Sequence, residues 1–278
     1  MSTIALITAR GGSTRTINKN GRVFCGIPLL GWSVIQAVNT PNIDHVFLTT
    51  DNEEYADIGR YFGADIIMRP VWDNGVTAGV PFLHALKKIE GEMGIEVSDI
   101  VTMLPTSPLK KPSQIEYMVE AFHEIDVDEL TTGAPIKETF VLKNELGSYW
   151  DRFREESIGD SYSARMTIAD KFWKFTKLCG GWGIAKRDFL YKMWSTSPTH
   201  DIDIDTAPLD SEKVWNIFAV EDWQCFEVDY PDDFTLCEVL MERFILKGKG
   251  PEIYGDKLPE EFLIKKYLEN KIGNQFQQ

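Results

Sequence analysis

The sequence runs to 278 residues, 43% apolar and 26% charged, a globular composition that excludes a disordered chain, a collagen and a coiled-coil rod. A net charge of −14 argues against a basic nucleic-acid binder, and no apolar run approaches the ~20 residues of a membrane span. The length fits one large domain, or a core with a smaller appendage.

Ile4-Ala5-Leu6-Ile7 has the continuous apolar pattern of a buried parallel strand. A glycine-rich loop, Ala9 to Arg15, follows at once. Residues 28–39 open with Pro28 and place Leu30, Val34, Ile35 and Val38 on one helical face. His45 to Thr50 reads as a second strand, stopped by Asp51-Asn52; Glu53 to Phe62 is helical, with Gly63 as its stop. Ala64–Met68 gives a strand, Pro81–Glu90 a helix, Ile100–Leu104 a strand and Pro112–Phe122 a helix. This alternation predicts an α/β fold, a parallel sheet with helices on both faces. Ligands of such sheets bind beyond the carboxyl ends of the strands, which directs attention to residues 8–20, 49–52 and 105–111.

From 131 to 178 the texture changes to charged and aromatic residues with little helical period, read as an inserted β-rich arm. A return strand is expected at Gly180–Ala185, an acidic loop at 196–211, late strands at Trp215–Val220 and Cys225–Val228, and a helix at Pro231–Leu246. The domain is thus expected over 1–246, followed by a tail over 247–278 with a short helix near 259–271. Cys25, Cys179, Cys225 and Cys237 form no CxxC pair and read as reduced thiols of a cytoplasmic protein. The N-terminal apolar stretch is too early and too short for a secretory signal.

The charge is unevenly spread. Residues 1–43 contain no Asp or Glu, yet hold Arg10, Arg15, Lys19 and Arg22. A positive island in an acidic chain concentrates an anionic small ligand. In the loop Arg10-Gly11-Gly12-Ser13, glycine lets backbone N–H groups approach an anion with no Cβ in the way, and Arg and Lys supply charge-assisted hydrogen bonds to phosphate. Neither the P-loop ending nor GxGxxG is present. After this loop come Lys19-Asn20, Gly26-Ile27-Pro28-Leu29, Thr49-Thr50-Asp51 and Leu104-Pro105-Thr106-Ser107-Pro108-Leu109, in that order.

This ordered set resembles the acylneuraminate cytidylyltransferase family, the CMP-sugar synthetases, closely over about residues 3–125 and more loosely over 213–246. The resemblance implies a Rossmann-like, doubly wound, mostly parallel sheet of nucleotidyltransferase type, with the 131–178 arm used for dimerisation. It implies that CMP passes from CTP to an acidic 2-keto sugar, nonulosonate- or octulosonate-like, and that pyrophosphate leaves. Ala9, Arg10, Gly11, Gly12, Ser13, Lys19, Asn20 and Thr77 would then hold the nucleotide. Leu104, Thr106, Ser107, Arg165 and Lys177 would face the sugar, with Tyr162, Phe172, Trp173 and Phe175 either walling the pocket or packing in the arm. Arg10, Lys19 and Asp229 would be catalytic. Magnesium prefers hard oxygen ligands, and the family places an acid-x-acid pair before its C-terminal helix. Glu227 and Asp229 occupy that place and are chosen over Asp201, Asp203 and Asp205. Asp233 is suited to the start of the helix that follows, and Arg22 to solvated surface. A homodimer is implied, with no nucleic-acid or membrane partner.

Three positions depart from the family pattern: Thr14 stands for its loop lysine, Leu104 for its glutamine and Val76 for an acid. They point to an unusual acidic sugar as acceptor. Two other readings share these residues: a CTP-binding homologue with weak or no activity, and a nucleotide-sugar-dependent glycosyltransferase using residues 201–205.

Overall fold

The computed structural model describes residues 1–13, 15–72, 79–125, 127–135, 143–144, 147–148, 176–196 and 215–254. Its strands are β1 (Ser2–Ala9), β2 (Val23–Phe24), β3 (Ile27–Pro28), β4 (His45–Thr50), β5 (Asp65–Met68), β6 (Val97–Met103), β7 (Glu129–Pro135), β8 (Lys143–Asn144), β9 (Gly147–Ser148), β10 (Thr176–Lys186) and β11 (Trp215–Ala219). Its α-helices are α1 (Leu29–Val38), α2 (Glu53–Phe62), α3 (Gly79–Gly91), α4 (Pro112–Glu124), α5 (Arg187–Thr196) and α6 (Pro231–Met241). Seven strands make one sheet in the order β11-β7-β10-β6-β1-β4-β5. All its pairings are parallel except those of β10, which runs antiparallel to both neighbours. The expected α/β, mostly parallel architecture is therefore present.

Alternation along β1 explains the layering. Ile4 and Leu6 point into a core formed with Phe82, Ala85, Leu86 and Ile89 of α3 and Leu190 and Trp194 of α5. Ala5 and Ile7 point the other way, into a larger core with α1, α2, α4 and α6. Both faces of β1 are buried, so its apolar run is continuous. Each large apolar side chain so buried stabilises the fold by about 1.5–3 kcal/mol before entropy is charged against it.

Local signals set the helix ends. The Asn52 side chain accepts a hydrogen bond from Tyr55 N at 3.0 Å, and Gly63 closes α2 at φ 100°, a left-handed conformation that favours glycine. Pro112 opens α4. Asp233 does more than face a helix dipole: its Oδ2 accepts from Asp229 N at 2.8 Å and from Tyr230 N at 2.7 Å, fixing the chain as it enters α6.

Several expectations need correction. Residues 225–228 form no strand; Asp222–Cys225 is a 3-10 helix and the chain then runs extended beside residues 104–108. The helix expected over 231–246 is α6 followed by a π-helical turn, Glu242–Leu246. Helix α5 was not anticipated. Cys179 and Cys225 are joined in a disulfide, while Cys25 and Cys237 are free, so the reading of four reduced thiols fails. The two partners lie 46 positions apart, and nothing local in the sequence signals their meeting where β10 approaches the 3-10 helix. The 131–178 stretch begins and ends in strands of the main sheet, β7 and β10; most of what lies between, and the tail helix near 259–271, fall outside the described residues. No helix among the described residues is long and apolar enough to cross a membrane.

Candidate functional site

Strands β4, β1 and β6 lie side by side, with Ala9 opposite Thr50 and Ile7 opposite Met103. Their carboxyl ends deliver the glycine loop, Asp51 and the 104–110 turn to one edge of the sheet. A buried carboxylate ties the first two together: Asp51 Oδ1 accepts from Gly11 N at 2.7 Å, and Asp51 Oδ2 lies 3.3 Å from Arg69 Nη1. The Asp51 and Arg69 side chains are only 8% and 4% exposed, so either partner left alone would be an uncompensated buried charge, which costs ~3–5 kcal/mol. Burial holds the Arg69 guanidinium below its ordinary range; Asp51 opposes that effect and nearby Arg10 adds to it. Trp72 packs over the guanidinium at 5.0 Å. Arg69 Nε is buried without a hydrogen-bond partner among the described residues.

The Lys19-Asn20 pair sits in a 3-10 turn, Lys19–Gly21. Asn18 enters it at φ 50° and is gripped by Tyr55, whose hydroxyl donates to Asn18 Oδ1 at 2.7 Å. From this turn Lys19 Nζ donates to Asp229 Oδ1 at 2.9 Å. Thr16 Oγ1 donates to the Asp229 carbonyl at 3.1 Å, and Arg15 Nη1 reaches Asp229 Oδ2 at 3.4 Å. The Arg15 contact is 61% exposed on the arginine side, worth at most about 1 kcal/mol; Lys19, 12% exposed, and the backbone bonds do the positioning. Asn20 is buried, its Oδ1 unpartnered among the described residues. Arg22 is exposed, its guanidinium 4.6 Å from the Phe234 ring centroid.

At the end of β6, Leu104 N donates to Gly181 O at 2.7 Å and Ser107 N to Leu104 O at 3.2 Å. Two bonds link this turn to the acidic pair: Ser107 Oγ donates to Glu227 Oε1 at 2.9 Å, and Val228 N to Thr106 O at 2.7 Å. Gly181 is required by the close approach, since a Cβ there would run into the Ser107 side chain and stand 3.1 Å from Glu227 Oε1.

The structure thus brings Ala9, Arg10, Gly11, Gly12, Ser13, Lys19 and Asn20 to the sheet edge that also receives Leu104, Thr106, Ser107, Glu227 and Asp229. Thr77 and Arg165 lie outside the described residues, as do Thr14, Val76, Tyr162, Phe172, Trp173, Phe175, Asp201, Asp203 and Asp205. Lys177 is on β10, opposite Ala134, but its side chain is outside the description. Among the described residues no group of three or more His, Cys, Asp or Glu is arranged to hold a metal ion by itself. Sequence reasoning missed Arg69, Lys110 and Gly181. Asp51, at a strand end before a helix cap, was read in the sequence, but its bonds to Gly11 and Arg69 were not.

Comparison with known proteins fits this geometry. A Campylobacter coli protein named post-translational flagellin modification protein B is 24% identical over 260 residues, 88% of this chain and 97% of that protein. A Legionella pneumophila CMP-N,N'-diacetyllegionaminic acid synthase is 28% identical over 139 residues, 49% of this chain and 59% of that protein. Its Campylobacter jejuni namesake is 24% identical across 90% of this chain and 97% of its own length. Among solved structures, a CMP:2-keto-3-deoxy-manno-octonic acid synthetase complexed with CTP superposes with a TM-score of 0.62 at 16% identity, covering 87% of this chain and 99% of the other. At that identity the superposition speaks for the fold alone, a mostly parallel α/β sheet. Residues 4–156 match the family described as cytidylyltransferase, and the chain belongs to that family.

Proposed function

We propose that this cytidylyltransferase joins CMP from CTP to an acidic 2-keto sugar of the nonulosonate or octulosonate kind, releasing pyrophosphate. The observation that carries the reading is the meeting of the cationic loop with the acidic pair, Lys19 on Asp229 at 2.9 Å. The names of the Legionella and Campylobacter jejuni relatives support a nonulosonate acceptor.

In the reaction the anomeric hydroxyl oxygen of the sugar acid attacks the α-phosphorus of CTP. An O–P bond forms as the hydroxyl gives up its proton to water, the bond from the α-phosphorus to the β-bridging oxygen breaks, and pyrophosphate departs with that electron pair. Both reactants are anions, so holding them together and offsetting their repulsion is most of the task. Arg10, Ser13, Lys19 and the amide of Gly12 hold the phosphates, and Gly11, whose own amide is taken by Asp51, lets the loop approach them, while Ala9 and Asn20 border the nucleoside; Thr77 belongs to the same set. Thr106, Ser107 and Leu104 face the acceptor, with Arg165 and Lys177 as cations for its carboxylate.

Glu227 and Asp229 fit a magnesium ion: both offer hard oxygens, and an ion of this type completes its shell with phosphate and water rather than a protein cage. Held by Glu227 and Asp229, such an ion would supply positive charge to offset that of the phosphates. Lys19, beside Asp229 at 2.9 Å, links the phosphate-holding loop to that carboxylate. A homodimer built through residues 131–178 and a cytoplasmic location belong to the same reading. Pyrophosphate release with CTP, magnesium and a panel of nonulosonic and octulosonic acids tests it. Turnover with at least one acid is expected; firm turnover with another nucleotide and none with CTP would reject it.

A further inference from the structure

Lys110 is the one lysine among the described residues with no exposed surface. Its amine meets only neutral oxygens: Ser33 Oγ at 3.3 Å, the Leu104 carbonyl at 3.4 Å and, closest, the Ser107 carbonyl. Its own carbonyl accepts from Gln36 Nε2 at 2.8 Å and from the Tyr254 hydroxyl at 3.4 Å, so the residue is pinned at both ends. Withdrawing an amine from water among neutral acceptors is unfavourable, and an apolar side chain of similar length would serve stability better.

What the amine accomplishes is visible in the turn it fills. The carbonyls of Leu104 and Ser107 converge on one nitrogen, which sets the turn's curvature. Ser107 then presents its hydroxyl to Glu227 Oε1 at 2.9 Å, and Thr106 presents its carbonyl to Val228 N at 2.7 Å. Neither Glu227 nor its neighbours lie in the sheet; Lys19, Thr16 and Asp233 hold Asp229, and these two bonds are what ties Glu227 and Val228 to the end of β6. Burial draws the Lys110 amine down to about 7, with the Glu227 charge pulling it back, as expected for a nitrogen desolvated among neutral acceptors.

We propose that Lys110 is a positioning residue for the acidic pair: by gathering the Leu104 and Ser107 carbonyls it aims the Ser107 hydroxyl at Glu227 and so fixes the carboxylate that engages the divalent cation. This rests on the metal role given above to Glu227 and Asp229. The lysine touches neither substrate nor metal and acts through Ser107.

The test compares the full-length chain with Lys110→Met, Ser107→Ala and Glu227→Gln, reading Mn2+ binding in the presence of CTP by electron paramagnetic resonance, alongside kcat and the KM for CTP. Outer partners of metal ligands typically shift affinity or activity by about 10–100-fold. Lys110→Met and Ser107→Ala are expected to weaken Mn2+ binding and lower kcat within that range, with the KM for CTP changed less than about twofold. Since emptying a fully buried site can prevent folding, Ser107→Ala, which deletes one hydroxyl, carries the same expectation. Unchanged Mn2+ binding in either folded variant, while Glu227→Gln loses it, overturns the Lys110 proposal alone. Unchanged Mn2+ binding in Glu227→Gln overturns the metal reading and the proposal with it.

Discussion

Lys19 Nζ lies 2.9 Å from Asp229 Oδ1, a contact that spans 210 positions of sequence. It brings the acid-free first segment of the chain against the acidic segment before the last helix. Without ligand, each group balances the other's charge. In the proposed reaction a bound triphosphate would offer Lys19 and Arg15 new anionic partners and leave Asp229 to a cation.

Removing that carboxylate should therefore abolish catalysis rather than unfold the protein, because Asp229 is 43% exposed. Asp229→Ala is expected to lower metal-dependent pyrophosphate release by roughly 10²–10³-fold, the scale of losing one well-placed electrostatic group. Asp203→Ala is expected to leave turnover largely intact. The reverse pattern would move the metal site to the 201–205 stretch.

Asp51 sits beneath the glycine loop, bonded to Gly11 N and paired with Arg69. Asp51→Ala strands the arginine and releases the loop. A loss of ~3–5 kcal/mol in stability is expected, together with a raised KM for CTP in whatever protein remains folded. Denaturant unfolding measures the first and initial-rate kinetics the second. A variant as stable as the parent would show that Arg69 has another partner.

The parts of this site that were legible in the sequence are local ones. A strand followed at once by Arg-Gly-Gly-Ser, or a carboxylate ending a strand before a capped helix, needs no distant contact to be read. Lys110, Gly181 and Arg69 were not legible, because their roles arise from encounters across the fold: Gly181 matters only because Ser107 arrives beside it. Residues 225–228 were misread for a related reason. Val228 is fully buried, as in a strand, but its N–H bonds to Thr106 O in a turn and not to a ladder. Helix α5 escaped notice because its mixed charged and aromatic sequence hides an i, i+4 pair, Leu190 and Trp194, whose burial against α3 holds it in place, with Trp194 stacked on Phe82 at 5.1 Å.

Gly181→Ala tests how tightly the 104–108 turn is packed. The added methyl meets the Ser107 side chain, and Ser107 cannot retreat without dropping its bond to Glu227. The expected result is a fall in kcat of about 10–100-fold with secondary structure intact by circular dichroism. Full activity would mean that the turn moves freely and that the Ser107–Glu227 bond is dispensable.

Lys110 also sets a pH dependence of stability. Unfolded, its amine holds a proton to about 10.5; folded, it releases the proton near 7. Between those values the unfolded chain binds more protons, so stability rises with pH, by at most about 1.4 kcal/mol per unit from this group. Below 7 the penalty of burying the charged form is complete and flat. Cys25 and Cys237, whose thiols burial pushes up to about 12 from 9.0, act in the opposite sense above pH 9, since the folded state then keeps protons the unfolded state has lost. The clean window is therefore pH 7 to 9. Denaturant midpoints across it should climb more steeply for the parent chain than for Lys110→Met, and equal slopes would mean that the amine keeps its proton in the folded protein.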